Sequence, residues 1–288
     1  MTNPALEQQA EMFWRDAEAF YRRAEALGVP DIRNYYWYHT VELPGGLVTP
    51  GQYDFRESIA AFPFPADLRG KRVLDVGSAT GFFAFEFARR GAEVTSLELP
   101  SLEALDRFPG QDVAQSLDKI RKMMGPRSAG GGSDAPYTAE EMYFYLLEGP
   151  FEFCRKQLGA KIRRCYSTVY ELTEAKAGGT FDLVFMGDIL LHTLNPMAAL
   201  CAVAPLCRGT LVLSQRMPET ADGEPAMLWV GGDSLGSDEV SWWLPNQSCL
   251  VAMLKKLGFR SVVNTGSHSG VLRPSGFPYT RAILRAEK

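Results

Sequence analysis

The sequence predicts an α/β fold: a mainly parallel sheet with an antiparallel last pair of strands, preceded by a helical and aromatic segment. Three observations carry this. From Lys71 onward short apolar runs alternate with helical patterns, the signature of strands joined by crossover helices. The first run, RVLDV, is followed by a glycine-containing loop and the helical pattern GFFAFEFARRG. The last two apolar runs, RSVVNTG and TRAILRAE, are separated only by SHSGVLRPSGFPY, too short for a crossover helix, so they pair antiparallel.

In chain order, Pro4 to Leu27 carries Leu6, Phe13, Ala17, Phe20, Tyr21, Ala24 and Leu27 at helical spacing, with Gly28 as the stop. NYYWYHTVELPGGLVTPGQYD follows, rich in rings and broken by Pro-Gly and Gly-Gly, a loop or short hairpin. Residues 1–58 are therefore taken as an N-terminal cap and 59–288 as the main domain. EVTSLEL, IRRCYSTVYEL, FDLVFMGD and GTLVLSQR are strands two to five. PNQSCLVAMLKKLGF is a late helix with Leu250, Met253, Leu254 and Leu257 on one face and Gly258 as its stop. Between strands two and three lies an insertion near 108–137 containing GPRSAGGGSDAP, a linker by composition and either a lid or a surface insertion. Thr138 and Glu141 after it form a capping-box pattern.

Of 288 residues, 46% are hydrophobic and 22% charged, with a net charge of −4. This is a soluble composition that offers phosphate backbones no attraction overall, so a nucleic-acid partner is not expected. No apolar run reaches membrane-spanning length, and the amino terminus lacks a signal peptide's basic and apolar regions. Cys154, Cys165, Cys201, Cys207 and Cys249 show no metal-ligand spacing; they are idle thiols of a reducing cytoplasm.

The loop is the chemical signal. A nicotinamide G-x-G-x-x-G fingerprint would need glycine at 77, 79 and 82, but Ala79 and Phe82 stand at two of these. The pattern acidic-x-G-x-G-x-G fits better, with Asp75, Gly77 and Gly81 in place and Ala79 for the middle glycine. Asp75 is placed to accept from a ligand amine or from loop amides. Glu98, ending the second strand, can bridge two ribose hydroxyls. No lysine follows to hold phosphates, and the acidic groups would repel a pyrophosphate. An amino-acid end, a ribose and no phosphate describe S-adenosylmethionine.

Through VLDVGSATG, LELP and FDLVFMGDILLHTLNP, in order and at matching spacing, residues 71–288 resemble the class I S-adenosylmethionine-dependent methyltransferases. The resemblance implies a Rossmann-like seven-stranded sheet with the cofactor at the carboxyl ends of its first strands. It implies that Asp75, Gly77, Ser78 and Gly81 line the methionine end and that Glu98, beside Leu99, holds the ribose. Thr168 and Val169, with Tyr170 nearby, would flank the adenine, and Gly187 and Asp188 would border the transfer site. Ala79 is expected to keep a negative φ, with altered loop detail and retained binding. WYHTVELPGGLVTPGQYD, LLHTLNP and WWLPNQSCLVAMLKKLGF are similar to the narrower family that includes the tRNA wobble-uridine carboxymethyltransferase, which uses carboxy-S-adenosylmethionine. The basic residues that would hold the extra carboxylate are not identifiable.

The preferred reading is methyl transfer to an oxygen or nitrogen of a small-molecule acceptor. Carboxymethyl transfer to tRNA, cyclisation or cleavage of S-adenosylmethionine itself, and non-catalytic binding are the alternatives. The candidate bases are His39 and His192, with Asp188 behind them; a structural role stands equally open for His192. Trp37 is read as packing, one of Trp242 and Trp243 as core, and His268 as surface. Arg208, Lys255 and Lys256 are read as solvated.

Overall fold

The computed structural model describes residues 4–29, 31–124, 137–218, 223–235 and 240–288. The GPRSAGGGSDAP linker, at 125–136, lies outside them.

Helix α1 (Pro4–Glu25) is laid down through Ala17, Phe20 and Ala24, while Leu6 and Leu27 stay exposed. The aromatic stretch after it holds a two-residue hairpin, β1 (Glu42–Leu43) against β2 (Leu47–Val48). Trp37 lies 5.0 Å from Phe20 and 5.7 Å from Phe153 and is packed as expected. Gly51 is required by close approach, because a Cβ there would sit 2.0 Å from the His39 carbonyl carbon.

The sheet then begins with β3 (Arg72–Val76), which leads into α2 (Phe82–Arg89) and β4 (Glu93–Glu98). The stretch between β4 and β5 carries α3 (Val113–Met124), α4 (Ala139–Tyr143), a π-helical turn over Phe144–Glu148 and α5 (Gly149–Leu158). Thr138 and Glu141 form the expected capping box. After β5 (Ile162–Tyr166) come α6 (Glu174–Ala177), β6 (Phe181–Gly187), α7 (Pro196–Val203) and β7 (Cys207–Gln215). A small pair, β8 (Met227–Trp229) and β9 (Trp243–Pro245), precedes α8 (Gln247–Lys256) and the final hairpin, β10 (Ser261–Leu272) and β11 (Phe277–Glu287).

The seven strands run in the order β10-β11-β7-β6-β3-β4-β5. β3 to β7 are parallel, and β11 is antiparallel to both β7 and β10. Central strands such as FDLVFMG read as continuous apolar runs because helices cover both faces. One face packs on a phenylalanine-rich core of Phe82, Phe83, Phe85, Phe87 and Phe185, the other on an aliphatic core from α7 and α8. Among the described residues, no helix is long and apolar enough to cross a membrane.

Two expectations are corrected. The third strand stops at Tyr166, so Ser167–Tyr170 form a loop beyond the sheet's carboxyl edge. SHSGVLRPSGFPY is not a loop but mostly ladder, turning only between Leu272 and Phe277. Glycine, serine and proline disguise it, yet cross-strand pairing carries the hairpin past the sheet.

Candidate functional site

The carboxyl ends of β3, β4 and β6, the loop after β5, the aromatic stretch and the overhanging hairpin enclose a cavity of about 330 Å3. A larger cavity, about 600 Å3, lies between α1, β2 and the hairpin turn and includes none of the glycine-loop residues. The chemistry is concentrated in the smaller one, whose walls include Asp75, Gly77, Ser78, Glu98, Leu99, Thr168, Val169, Gly187, Asp188, His39 and His192.

The glycine loop is tightly specified. Gly77 has φ +71, and a Cβ there would meet Ile189 Cδ1 at 2.6 Å. Gly81 has φ +92, but it caps α2 against Phe151 and Phe85 and does not line the cavity. Ala79 departs from expectation, with φ +47 rather than a negative value. Its N–H donates to Glu98 Oε2 at 2.8 Å, and that bond holds the alanine in the left-handed conformation the missing glycine would adopt freely.

Two carboxyls are buried here. Asp75 is 2% exposed, and its Oδ2 has no partner among the described residues. Burial and then the nearby Glu98 push its carboxyl up to about 7. Glu98, also raised by burial, accepts from Leu99 N–H at 2.9 Å and from Ala79 N–H. Arg164, unremarked in the sequence, is the local counter-charge. Its Nη1 donates to Ser78 Oγ at 2.7 Å and Ser96 Oγ at 2.9 Å, and its Nη2 to Glu148 at 2.7 Å. The guanidinium also lies 3.8 Å from the centroid of the Phe151 ring. An arginine in the middle of a strand, in IRRCY, was the available signal. Three carboxyls against one guanidinium leave the pocket suited to a cationic ligand.

Asp188 is no free base: its Oδ1 accepts from Arg216 N–H at 2.7 Å, and its Oδ2 is ion-paired with Arg281. His39 is buried, and burial alone lowers its imidazole to about 3. Its Nδ1 accepts from Phe82 N–H at 3.4 Å, which leaves the ring proton on Nε2. His192 is the reverse case. Its Nδ1 lies 2.6 Å from the Val240 carbonyl oxygen, an acceptor only, so the proton sits on Nδ1 and Nε2 keeps its lone pair.

His268, read as surface, is 4% exposed and lines the cavity, with Nε2 2.9 Å from Ser214 Oγ. The extended hairpin brings it there together with Tyr279 and Arg281. Trp242 is fully buried and Trp243 half-buried; neither reaches the cavity.

No protein-family model matches the chain. It is 24% identical over 202 residues to a tRNA U34 carboxymethyltransferase of Idiomarina loihiensis, covering 69% of this chain and 49% of that protein. It is 29% identical over 96 residues to the biotin biosynthesis bifunctional protein BioHC of Cellvibrio japonicus, covering 32% and 16%. The chain thus spans about half, or less, of the length of these curated relatives. Among solved structures, the N-terminal domain of EvdMO1 with SAH bound superposes with a TM-score of 0.53 at 17% identity, covering 92% and 94% of the two chains. The same domain in the presence of SAH and D-fucose gives 0.54. Sheet order, antiparallel last pair and superposition agree: the chain has the seven-stranded Rossmann-like fold of the SAH-bound EvdMO1 domain.

Proposed function

We propose that the chain binds S-adenosylmethionine and methylates an oxygen or nitrogen of a small-molecule acceptor. The observation that carries this reading is the buried acidic pair Asp75 and Glu98 beside a glycine loop whose Gly77 holds a positive φ. The residues fit the cofactor. Asp75 Oδ2, without a partner among the described residues, would accept from the ammonium of the methionine end, near Ser78. The Glu98 oxygens each hold one backbone N–H and retain lone pairs for ribose hydroxyls. Thr168 and Val169 would flank the adenine, and Gly187 would border the methionine. When bound, the cofactor supplies a methyl group on a sulfonium, a carbon already activated for in-line displacement.

The chain's own task is then to orient the acceptor, exclude water and accept its proton. His192 Nε2 takes that proton, with Nδ1–H anchored on Val240. His39 in its present tautomer donates from Nε2, and so it orients the acceptor. Residues 1–58 act as the cap that closes the cavity on this side. The free thiols fit a cytoplasmic enzyme.

Calorimetry with S-adenosylmethionine and SAH tests the reading, and absence of binding for both ends it. In a methyl-transfer assay, His192→Ala should lower turnover and leave SAH affinity intact. A second reading, carboxymethyl transfer to a tRNA wobble uridine, is favoured by the likeness to the Idiomarina protein. Preference for carboxy-S-adenosylmethionine together with tRNA binding would select it.

A further inference from the structure

Between the short turn at Leu190–His192 and helix α7 runs a segment, Thr193–Asn195, that belongs to no helix or strand. Its peptide groups must find their partners elsewhere. Leu194 N–H donates to Asp106 Oδ2 at 2.6 Å, and the Leu194 carbonyl accepts from Trp243 Nε1 at 3.1 Å. Asn195 N–H donates to Tyr170 Oη at 3.3 Å, and the Tyr170 hydroxyl donates in turn to Asp106 Oδ2. Burial and then this bond push the Tyr170 hydroxyl up to about 12, so it keeps the proton it donates.

Three loops therefore meet at one oxygen. Asp106 comes from the loop after β4, Tyr170 from the loop after β5 and Leu194 from the segment after β6. In the sheet β6 and β5 are separated by β3 and β4, so their ends stand roughly 14 Å apart at ordinary strand spacing. Their loops close that distance by converging on Asp106. Asp106, Tyr170, His192 and Thr193 all line the cavity, so the junction is part of its wall. His192 stands two residues before Leu194 and is itself exposed; its ring is held through Nδ1 on the Val240 carbonyl oxygen.

Building on the reading of His192 as the proton acceptor, we propose that Asp106 is a positioning residue for it. Asp106 acts through the Leu194 peptide, which sets where the His192 ring stands in the cavity wall, and Tyr170 braces the same oxygen. Both bonds fall on Oδ2, so an amide oxygen, with two lone pairs of its own, can replace it.

The test reads the ring nitrogens of the three histidines by heteronuclear NMR of the unliganded protein, at mildly alkaline pH where the rings are neutral. His192→Gln assigns the His192 signals. In the wild type the His192 proton should sit on Nδ1. Asp106→Ala should shift the His192 nitrogens toward the averaged values of a ring exchanging between tautomers, with His39 and His268 unmoved. Asp106→Asn should restore the wild-type His192 signals. Tyr170→Phe deletes a single oxygen; it should shift them the same way but less far, and it keeps the test valid should Asp106→Ala fold poorly. Unmoved His192 signals in Asp106→Ala or, if that variant does not fold, in Tyr170→Phe overturn the proposal. Equal movement of all three histidines, or no restoration by Asp106→Asn, overturns it as well. A wild-type His192 proton on Nε2 would defeat the base reading instead, and selective movement of the same signals still decides the role of Asp106.

Discussion

The two halves of the cavity are built on opposite principles. The half at the glycine loop takes its two buried carboxyls, Asp75 and Glu98, from one contiguous strand, loop, helix and strand. The half under the hairpin is gathered from residues far apart in the chain, Tyr38 to Phe55, Ser214, and His268 to Arg281, and holds neutral rings. Burial disfavours the charged form in both, with opposite consequences. It raises Asp75 to about 7 and lowers His39 to about 3 and His268 to about 4. An acid that is reluctant to ionise stands ready for a cationic ligand, and bases that are reluctant to protonate stand ready for a neutral one.

The largest way to break this contrast is Glu98→Ala. It removes the acceptor for both Ala79 N–H and Leu99 N–H, leaving two loop amides without their partner and, on the proposed reading, the ribose without its bridge. SAH affinity should fall by roughly 100-fold, and stability by about 2 kcal/mol. Calorimetry and thermal unfolding read these separately. An unchanged affinity would show that Glu98 only braces the loop.

The pH dependence sharpens the contrast next. For Asp75 the folded value of about 7 exceeds the ordinary 3.8. The stability this group contributes is therefore fully present below pH 3.8 and lost as pH rises through 7. For His39 and His268 the folded values of about 3 and 4 lie below 6.5. Their neutral burial is secure above pH 6.5 and is lost progressively below it. The two slopes oppose each other between pH 4 and 6.5, each worth on the order of a few kcal/mol. Asp75→Asn should remove one of them, so that its stability falls more steeply on acidification than that of the wild type, as read by denaturant midpoints. SAH binding to the wild type should also release a proton near pH 7, visible as a buffer-dependent enthalpy that Asp75→Asn abolishes.

The same division decided what could be read from the sequence. A strand, loop and helix in succession write their chemistry locally, so Asp75, Gly77 and Glu98 were legible from residue type and spacing, and Ser78 from the resemblance. The mainly parallel sheet and its antiparallel last pair followed from apolar runs and linker length. The hairpin half was illegible because long-range pairing makes it. SHSGVLRPSGFPY has a loop's composition, and only its ladder with β11 and β7 places His268 beside Ser214. Arg164 was missed for a related reason: a charge in a strand says that something is paired, without saying what.

The smallest effect belongs to Ala79, where local reading failed by one dihedral angle. An alanine at φ +47 costs about 1 kcal/mol or more relative to the right-handed region, and a glycine avoids that cost. Glycine in turn loses about 0.5–1 kcal/mol through the greater freedom of the unfolded chain. The two terms nearly cancel, so Ala79→Gly should shift stability by less than about 1 kcal/mol, toward stabilisation. The N–H bond to Glu98 is a backbone bond and survives the change, so SAH affinity should stay within about twofold. A large gain in affinity would mean that the alanine methyl obstructs the cofactor. A loss would mean that its stiffness holds the cradle open, and either result would move Ala79 from tolerated substitution to working part of the loop.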